Sequence, residues 1–79
     1  MKIYWSGGKK NVIGEKVRAL RKEQGLTQRA LAEKLQLDGC DVTDLTILRI
    51  ESGERFVPDY EVKALARALG VSYEVLLDD

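Results

Sequence analysis

The 79-residue chain is long enough for one small domain, and its 44% of apolar residues suffice for a single compact core. Thirteen basic and thirteen acidic residues cancel, so the net charge by itself does not indicate a nucleic-acid partner. The only cysteine, Cys40, and the absence of histidine exclude an internal disulfide and the usual metal site of nitrogen and sulfur ligands.

The chain shows no targeting or membrane signal. No apolar run approaches the roughly 20 residues that span a bilayer, and residues 1–10 lack the apolar core of a secretion signal. We therefore expect a cytoplasmic protein with no membrane partner, no cofactor and no small-molecule ligand. Cys40 is interpreted as a semi-buried filler rather than a redox switch, because no basic residue beside it would favour the thiolate.

The charges are distributed unevenly along the chain. Residues 1–37 carry nine Lys or Arg and three Asp or Glu, a net charge of +6. Residues 38–79 carry four and ten, a net charge of −6. This asymmetry is compatible with a basic face that meets phosphates, because the local field steers an encounter. Accidental segregation of charge, common in helical proteins, is the alternative.

Residues 1–10 have no helical period and are predicted to form an N-terminal arm, with residues 11–79 as the folded domain. The apolar tripeptide at residues 3–5 is followed by a flexible Ser-Gly-Gly joint. This tripeptide is compatible with packing on the domain, pairing with a second copy, binding a partner, or a disordered leader. Lys9 and Lys10 lie where they could reach phosphates.

The first helix is predicted over residues 12–24, with Asn11 as its cap and Gly25 as its end signal. Ile13, Val17 and Leu20 follow at spacings of four and three, which is typical of one buried helical face.

The stretch from Thr27 to Gly53 predicts two short helices separated by a turn. Thr27 supplies a capping hydroxyl for the first, in which Leu31 and Leu35 share a buried face. The second begins at Thr43 and ends at Gly53. On this helix the residues predicted to face inward are Ile47, Ile50 and Glu51, and those predicted to face outward are Leu45, Arg49 and Ser52.

Two further helices are predicted after a connector in which Pro58 stops helical continuation. Asp59 is the expected cap of a helix over residues 60–69 that Gly70 ends. Ser72 is the expected cap of a last helix over residues 73–77. The inward residues of the longer helix are Val62, Leu65, Ala66 and Leu69. The prediction is a compact, all-α, five-helix domain with a non-helical N-terminal arm.

Several motifs occur together in order: RxLRxxxGLTQ, then GLTQRALAEKL, TILRIESGER, a proline, and ALARALGV. From about Ile13 to Leu77 the chain resembles the lambda-repressor/Cro-like, or Xre-type, helix-turn-helix family of DNA-binding repressors. The resemblance implies a lambda-repressor-like fold in which the second helix of the motif lies in the DNA major groove and the first braces it. It also implies a homodimer on a palindromic operator.

The chain departs from that family between the two motif helices, where QLDGCDV at residues 36–42 adds about five residues to the usual three-to-four-residue turn. We interpret them as an extra turn on the first motif helix, ending near Asp38 with Gly39 after it. Leu37 and Val42 would then close the turn over the core. A looser loop that shifts the next helix is the alternative.

Phosphate contacts are expected at Gln28 and Arg29, at the first positions of a helix whose free N–H groups favour an anion. The resemblance assigns the phosphate contact to Gln28 in particular. Arg55 is a further phosphate candidate, although Glu54 beside it weakens that side. The residues expected to face the bases are Thr43, Asp44, Leu45, Thr46 and Arg49, and Arg49 has the geometry to pair bidentately with guanine.

Arg21 and Glu51 stand where the family has an ion pair that locks the groove-facing helix to the first helix. The leading hypothesis is a sequence-specific DNA-binding transcriptional regulator, most simply a repressor. The alternative is a protein-interaction module on the same scaffold, for example an antitoxin-like partner-binding protein, which the apolar Leu45 and Leu48 favour. An enzyme is not expected, because the sequence has no nucleophile–base pairing, phosphate loop or metal-ligand cluster.

Overall fold

The computed structural model describes residues 8–77, and all regular secondary structure in that range is α-helical. The five helices are α1 (Gly14–Glu23), α2 (Gln28–Leu37), α3 (Asp44–Glu51), α4 (Asp59–Leu69) and α5 (Tyr73–Leu77). This architecture confirms the predicted all-α fold. The apolar tripeptide at residues 3–5 lies outside the described residues. Within the described range, no helix has the length and apolar character to cross a membrane.

One core is built from the predicted inward faces of the helices. Burying each large aliphatic side chain stabilises the fold by about 1.5–3 kcal/mol, so the core residues decide how the helices pack. Leu20 is only partly buried and packs at the edge of this core. The fully buried large side chains are Ile13, Val17, Leu31, Leu35, Val42, Ile47, Ile50, Leu65 and Leu76.

The first helix begins two residues later than predicted, at Gly14, and ends one residue earlier, at Glu23. The expectation that Asn11 caps this helix is wrong, because Ile13 occupies the capping position and makes no side-chain hydrogen bond there. Asn11 lies two residues earlier, and its side-chain Oδ1 accepts a hydrogen bond from the N–H of Gly14 at 2.8 Å. Gly14 lies directly against α3. A Cβ at this position would overlap the carbonyl oxygen of Ile50. The start of α1 therefore approaches the end of α3 too closely for a side chain at this position.

The segment at residues 36–42 forms the extra helical turn rather than a looser loop. Helix α2 continues to Leu37, and Gly39 follows with φ of +89°. Cys40 is partly buried against the core, and Val42 is 1% exposed. The side-chain Nε2 of Gln36 donates to the carbonyl of Val42 at 2.7 Å and so ties the helix to the turn that follows it.

The expectation that Leu37 closes this turn over the core is wrong. The side chain of Leu37 is 90% exposed. Leu31 and Leu35 define the buried face of α2, and a residue two positions after Leu35 is rotated by about 200° around the helix axis. Because α2 keeps its helical geometry through Leu37, this side chain points to solvent.

Asp59 does not cap α4 as expected. It is the first residue of the helix, and Pro58 occupies the capping position without a side-chain hydrogen bond. The carboxylates of Asp59 and Glu61 instead lie in the first turn, where the positive end of the helix dipole favours negative charge. Helix α5 begins at Tyr73, after Ser72, as predicted.

Candidate nucleic-acid interface

Helix α3 is the second helix of a helix-turn-helix unit, and reciprocal capping fixes its start. The hydroxyl Oγ1 of Thr43 accepts from the N–H of Thr46 at 3.4 Å, while the N–H of Thr43 donates to Oγ1 of Thr46 at 3.2 Å. This capping box satisfies two backbone donors that a helix start otherwise leaves without partners. The hydroxyl of Thr46, expected to face the bases, therefore takes part in the cap.

The outward face of α3 is exposed, while Ile47 and Ile50 are completely buried on its inner face. Leu45 and Leu48 are 48% and 47% exposed. Arg49 is exposed in the last turn of the helix. Its guanidinium has no hydrogen-bond or ion-pair partner among residues 8–77. This face therefore offers one positive charge between apolar side chains.

Asp44 is the first residue of the exposed face of α3, and its carboxylate binds the backbone of the same helix. Its Oδ1 accepts a hydrogen bond from the N–H of Leu45 at 3.0 Å. A carboxylate in the first turn is stabilised by the helix dipole, but it also places a negative charge beside the surface that carries Arg49. Recognition of an anion is consequently less favourable at this end of α3 than at its last turn.

The start of α2 presents the second part of the candidate interface. Thr27 caps this helix by accepting from the N–H of Ala30 at 3.0 Å. The side chain of Arg29 is 82% exposed, and its Nε lies 3.7 Å from a carboxylate oxygen of Glu33. Such an exposed pair is weak, so Arg29 is available to another anion. Gln28 is partly buried, and its Nε2 donates to Glu51 at 3.2 Å.

Arg21 and Glu51 form a buried, two-pronged ion pair between α1 and α3. Arg21 Nε and Nη2 donate to the two carboxylate oxygens of Glu51 at 2.6 and 3.0 Å. The side chains are 10% and 4% exposed. Arg21 Nη1 also donates to the carbonyl of Leu26 at 2.8 Å. The hydrogen bond to Glu51 raises the pKa of Arg21 further above its normal alkaline range, although burial opposes the shift.

Arg55 is not free at the end of the motif. Its guanidinium makes a bidentate bridge to Glu61, with Nη1 2.6 Å and Nη2 3.1 Å from the two carboxylate oxygens. Its side chain remains 34% exposed. The bridge ties the connector after α3 to α4, so Arg55 would have to share or leave this bridge to contact a phosphate.

A shallow cleft of about 260 Å³ lies between α1, the start of α2 and α3, and Gln28 is the one predicted DNA-contacting residue that lines it. Arg18, which the sequence analysis did not select, lies on the wall of this cleft. The sequence signal was present, since Arg18 and Lys22 are spaced by four residues and so share one face of α1. The cleft is lined by Arg18, Arg21, Gln28, Leu48, Glu51 and Ser52.

Comparison with known proteins shows which family has this arrangement of helices. A sequence model of the family described as helix-turn-helix domain matches residues 12–79. Curated protein sequences give no match.

Three solved structures are similar to the chain. The P22 c2 repressor, in complex with a synthetic operator, is 29% identical, with a TM-score of 0.73 over 86% of this chain and 96% of that one. The DNA-binding domain of BldD is 30% identical, with a TM-score of 0.74 over 94% and 100% of the two chains. A chain of the SinR–SinI complex is 29% identical, with a TM-score of 0.70 over 85% and 61%. The chain therefore belongs to the helix-turn-helix domain family, as a lambda-repressor-like, Xre-type DNA-binding domain.

Proposed function

We propose that the protein is a sequence-specific transcriptional regulator, acting as a repressor, that inserts α3 into the DNA major groove. The observation that carries the proposal is that α3 has one face buried in the core and an opposite face exposed to solvent. Ile47 and Ile50 are fully buried and Glu51 is bound by Arg21, whereas Arg49 is exposed and its guanidinium has no hydrogen-bond or ion-pair partner within residues 8–77. A rigid helix with a free arginine suits the reading of base edges.

Arg49 is the proposed base-reading residue. A guanidinium presents two parallel donors that match the O6 and N7 acceptors of guanine, and each such pair contributes about 1–3 kcal/mol of discrimination. Leu45 is the proposed contact for thymine methyl groups, and Thr43, Asp44 and Thr46 are proposed to border the same surface. In this proposal the Thr43–Thr46 cap and the position of Asp44 mainly orient the helix.

Phosphate contacts are proposed at the start of α2. Arg29 is exposed and only weakly paired, and Gln28 lies in the cleft beside Arg18. The N-terminal N–H groups of α2 add a positive partial charge at the same place. Arg55 contributes only if a phosphate competes with Glu61 for its guanidinium. These contacts would set affinity and orientation without reading sequence.

A dimer on a palindromic operator completes the proposal. The family resemblance supports the dimer, and the P22 c2 repressor in complex with a synthetic operator supports the operator as a ligand. Selection of bound sequences from a random duplex pool tests operator and symmetry together. A two-fold-related consensus with half-sites about one helical turn apart is the expected result. Recovery of unrelated sequences would contradict the claim of sequence specificity.

Binding of the selected duplex by variants tests the residue roles. Arg49→Ala is expected to weaken binding of the selected duplex by about 5- to 150-fold. The base preference should be lost mainly at one position of the consensus. Arg29→Ala is expected to weaken all sequences alike and to reduce the salt slope by about 1. The matched control is Lys63→Ala, which removes the same charge from an exposed site on α4. An equal loss in all three variants would show that only total charge matters.

A protein-interaction module is the second candidate function, favoured by the half-exposed Leu45 and Leu48 on α3. A salt titration with mixed-sequence duplexes distinguishes it from DNA binding. A protein that contacts phosphates loses affinity log-linearly as the salt concentration rises. If no duplex binds at low salt, the interaction module becomes the better explanation of the exposed α3 face.

A further inference from the structure

A short segment before α1 crosses the end of α3. The N–H of Lys10 donates to the carbonyl of Gly53 at 2.8 Å. The aliphatic part of Lys9 covers the same glycine so closely that a Cβ there would lie 2.7 Å from the Lys9 Cγ. We call residues 9–13 the strap. It makes polar and apolar contacts with the last turn of α3 and with the residues that follow it.

Asn11 is the centre of the strap, because its one side chain contacts three segments. Its Nδ2 donates to the carbonyl of Ile50 at 3.1 Å and to the carbonyl of Arg55 at 2.8 Å. Its Oδ1 accepts from the N–H of Gly14. Both donors of the amide are thus used, and an acceptor lone pair as well. No other residue type of this size has this combination of groups.

The carbonyl of Ile50 accepts two hydrogen bonds, and the one from Asn11 comes from outside the helix. It belongs to the last turn of α3, where carbonyl groups lack the regular intrahelical donor. The N–H of Gly53 also donates to it, at 3.1 Å. Asn11 therefore fixes the last turn of α3 from outside the helix, and it ties the connector at Arg55 to the same point. Arg49, in this last turn, is the residue proposed to read the bases.

We infer that Asn11 is a positioning residue for DNA recognition, acting through the Ile50 and Arg55 carbonyls to fix the end of α3 from which Arg49 projects. This inference rests on the proposed function. It differs from the role of the Arg21–Glu51 pair, which holds the inner face of α3 against α1. Asn11 instead holds the backbone at the end of the helix, where a small rotation would move a long side chain such as Arg49 away from a base edge.

Asn11→Ser is the informative variant. A serine hydroxyl can accept a hydrogen bond from a backbone N–H a few residues ahead, as an asparagine Oδ1 does, so it can keep the hydrogen bond to Gly14. Its single hydroxyl cannot reach both the Ile50 and Arg55 carbonyls. We expect affinity for the selected duplex to fall by about tenfold at fixed salt. Affinity for mixed-sequence DNA and the salt slope should stay unchanged, because the phosphate contacts remain.

Leu76→Val provides a control for lost stability, since it trims a fully buried side chain on α5, away from α3. Affinities are compared at a temperature at which both variants are folded. If the two variants lose specific affinity equally, Asn11 has no positioning role. If Asn11→Ser retains the parental ratio of specific to mixed-sequence affinity, the inference is overturned.

Amide hydrogen exchange tests the same contact without DNA. In Asn11→Ser, the amides of Gly53 and Glu54 should exchange about tenfold faster, while amides within α4 keep their parental rates. Unchanged exchange at these amides would overturn the inference. This measurement tests the effect of Asn11 on the end of α3 even if the parent binds no duplex, and absence of duplex binding would refute the proposed function itself.

Discussion

Replacing only one residue of the Arg21–Glu51 pair by alanine should leave a large fraction of the molecules unfolded near physiological temperature. Removal of one partner from a buried ion pair costs about 3–5 kcal/mol, because an uncompensated charge stays buried. Native domains of this length have only about 4–12 kcal/mol in total. Both side chains are nearly buried, and Glu51 also accepts from Gln28, so Glu51→Ala leaves three side-chain donors without their carboxylate.

Thermal denaturation measures this cost. At about 4–8 °C per kcal/mol, Arg21→Ala and Glu51→Ala should each lower the Tm by at least about 12 °C. The double variant Arg21→Met with Glu51→Leu should regain most of that loss, because apolar replacement of a buried pair is often neutral or stabilising. A Tm within two degrees of the parent for either alanine variant would refute the reasoning.

The pH dependence of stability gives an independent check. The pKa of Arg21 is raised in the folded state, so its contribution is complete below the unfolded-state pKa and disappears only as the pH rises through the folded-state pKa. Both values lie far above neutrality. The difference in stability between the parent and Arg21→Ala should therefore be flat from about pH 6 to pH 9.

Three smaller predictions concern single contacts. Gly14→Ala should destabilise the domain by about 1–3 kcal/mol, because its Cβ overlaps the Ile50 carbonyl; denaturant unfolding measures this, and an unchanged midpoint contradicts it. The hydrogen bond and charge of Lys9 lower the pKa of Glu15. That contribution to stability is therefore lost as the pH falls through the lowered pKa, and Lys9→Met should return the carboxyl titration, followed by NMR, to the usual range. Leu37→Ser should change stability by less than about 0.5 kcal/mol, because the side chain is exposed; a larger loss would mean that Leu37 is buried in solution.

The local signals that predicted the fold were periodicity and capping. Leu31 and Leu35 were assigned to the core correctly, because their spacing places them on one face and apolar burial drives packing. Thr27 and Thr43 were placed correctly, because a hydroxyl at a helix start satisfies free N–H groups. Gly39 marked the end of the lengthened α2. These signals act over one or two turns and can be read from neighbouring residues.

The features that sequence reasoning missed depend on contacts between distant segments. Asn11 was expected to act as a helix cap, whereas its side chain donates to the carbonyls of Ile50 and Arg55, which lie 39 and 44 residues away. The bridge between the Arg55 guanidinium and Glu61 was not predicted either. Leu37 was assigned to the core because it is apolar, although the rotation of α2 turns it outward. The partners of Asn11 and Arg55 lie in other segments of the chain, and the exposure of Leu37 depends on which face of α2 packs on the core.

Two independent constraints require glycine at position 53. Its φ of +80° disfavours any residue with a Cβ, and the aliphatic part of Lys9 occupies the space that a Cβ would need. Trimming Lys9 to glycine would therefore remove the crowding but not the backbone strain, and it would rescue Gly53→Ala only in part. A saturation screen of the parent should accordingly find Gly53 intolerant of every substitution, whereas Gly39, with open space around it, should accept asparagine at small cost.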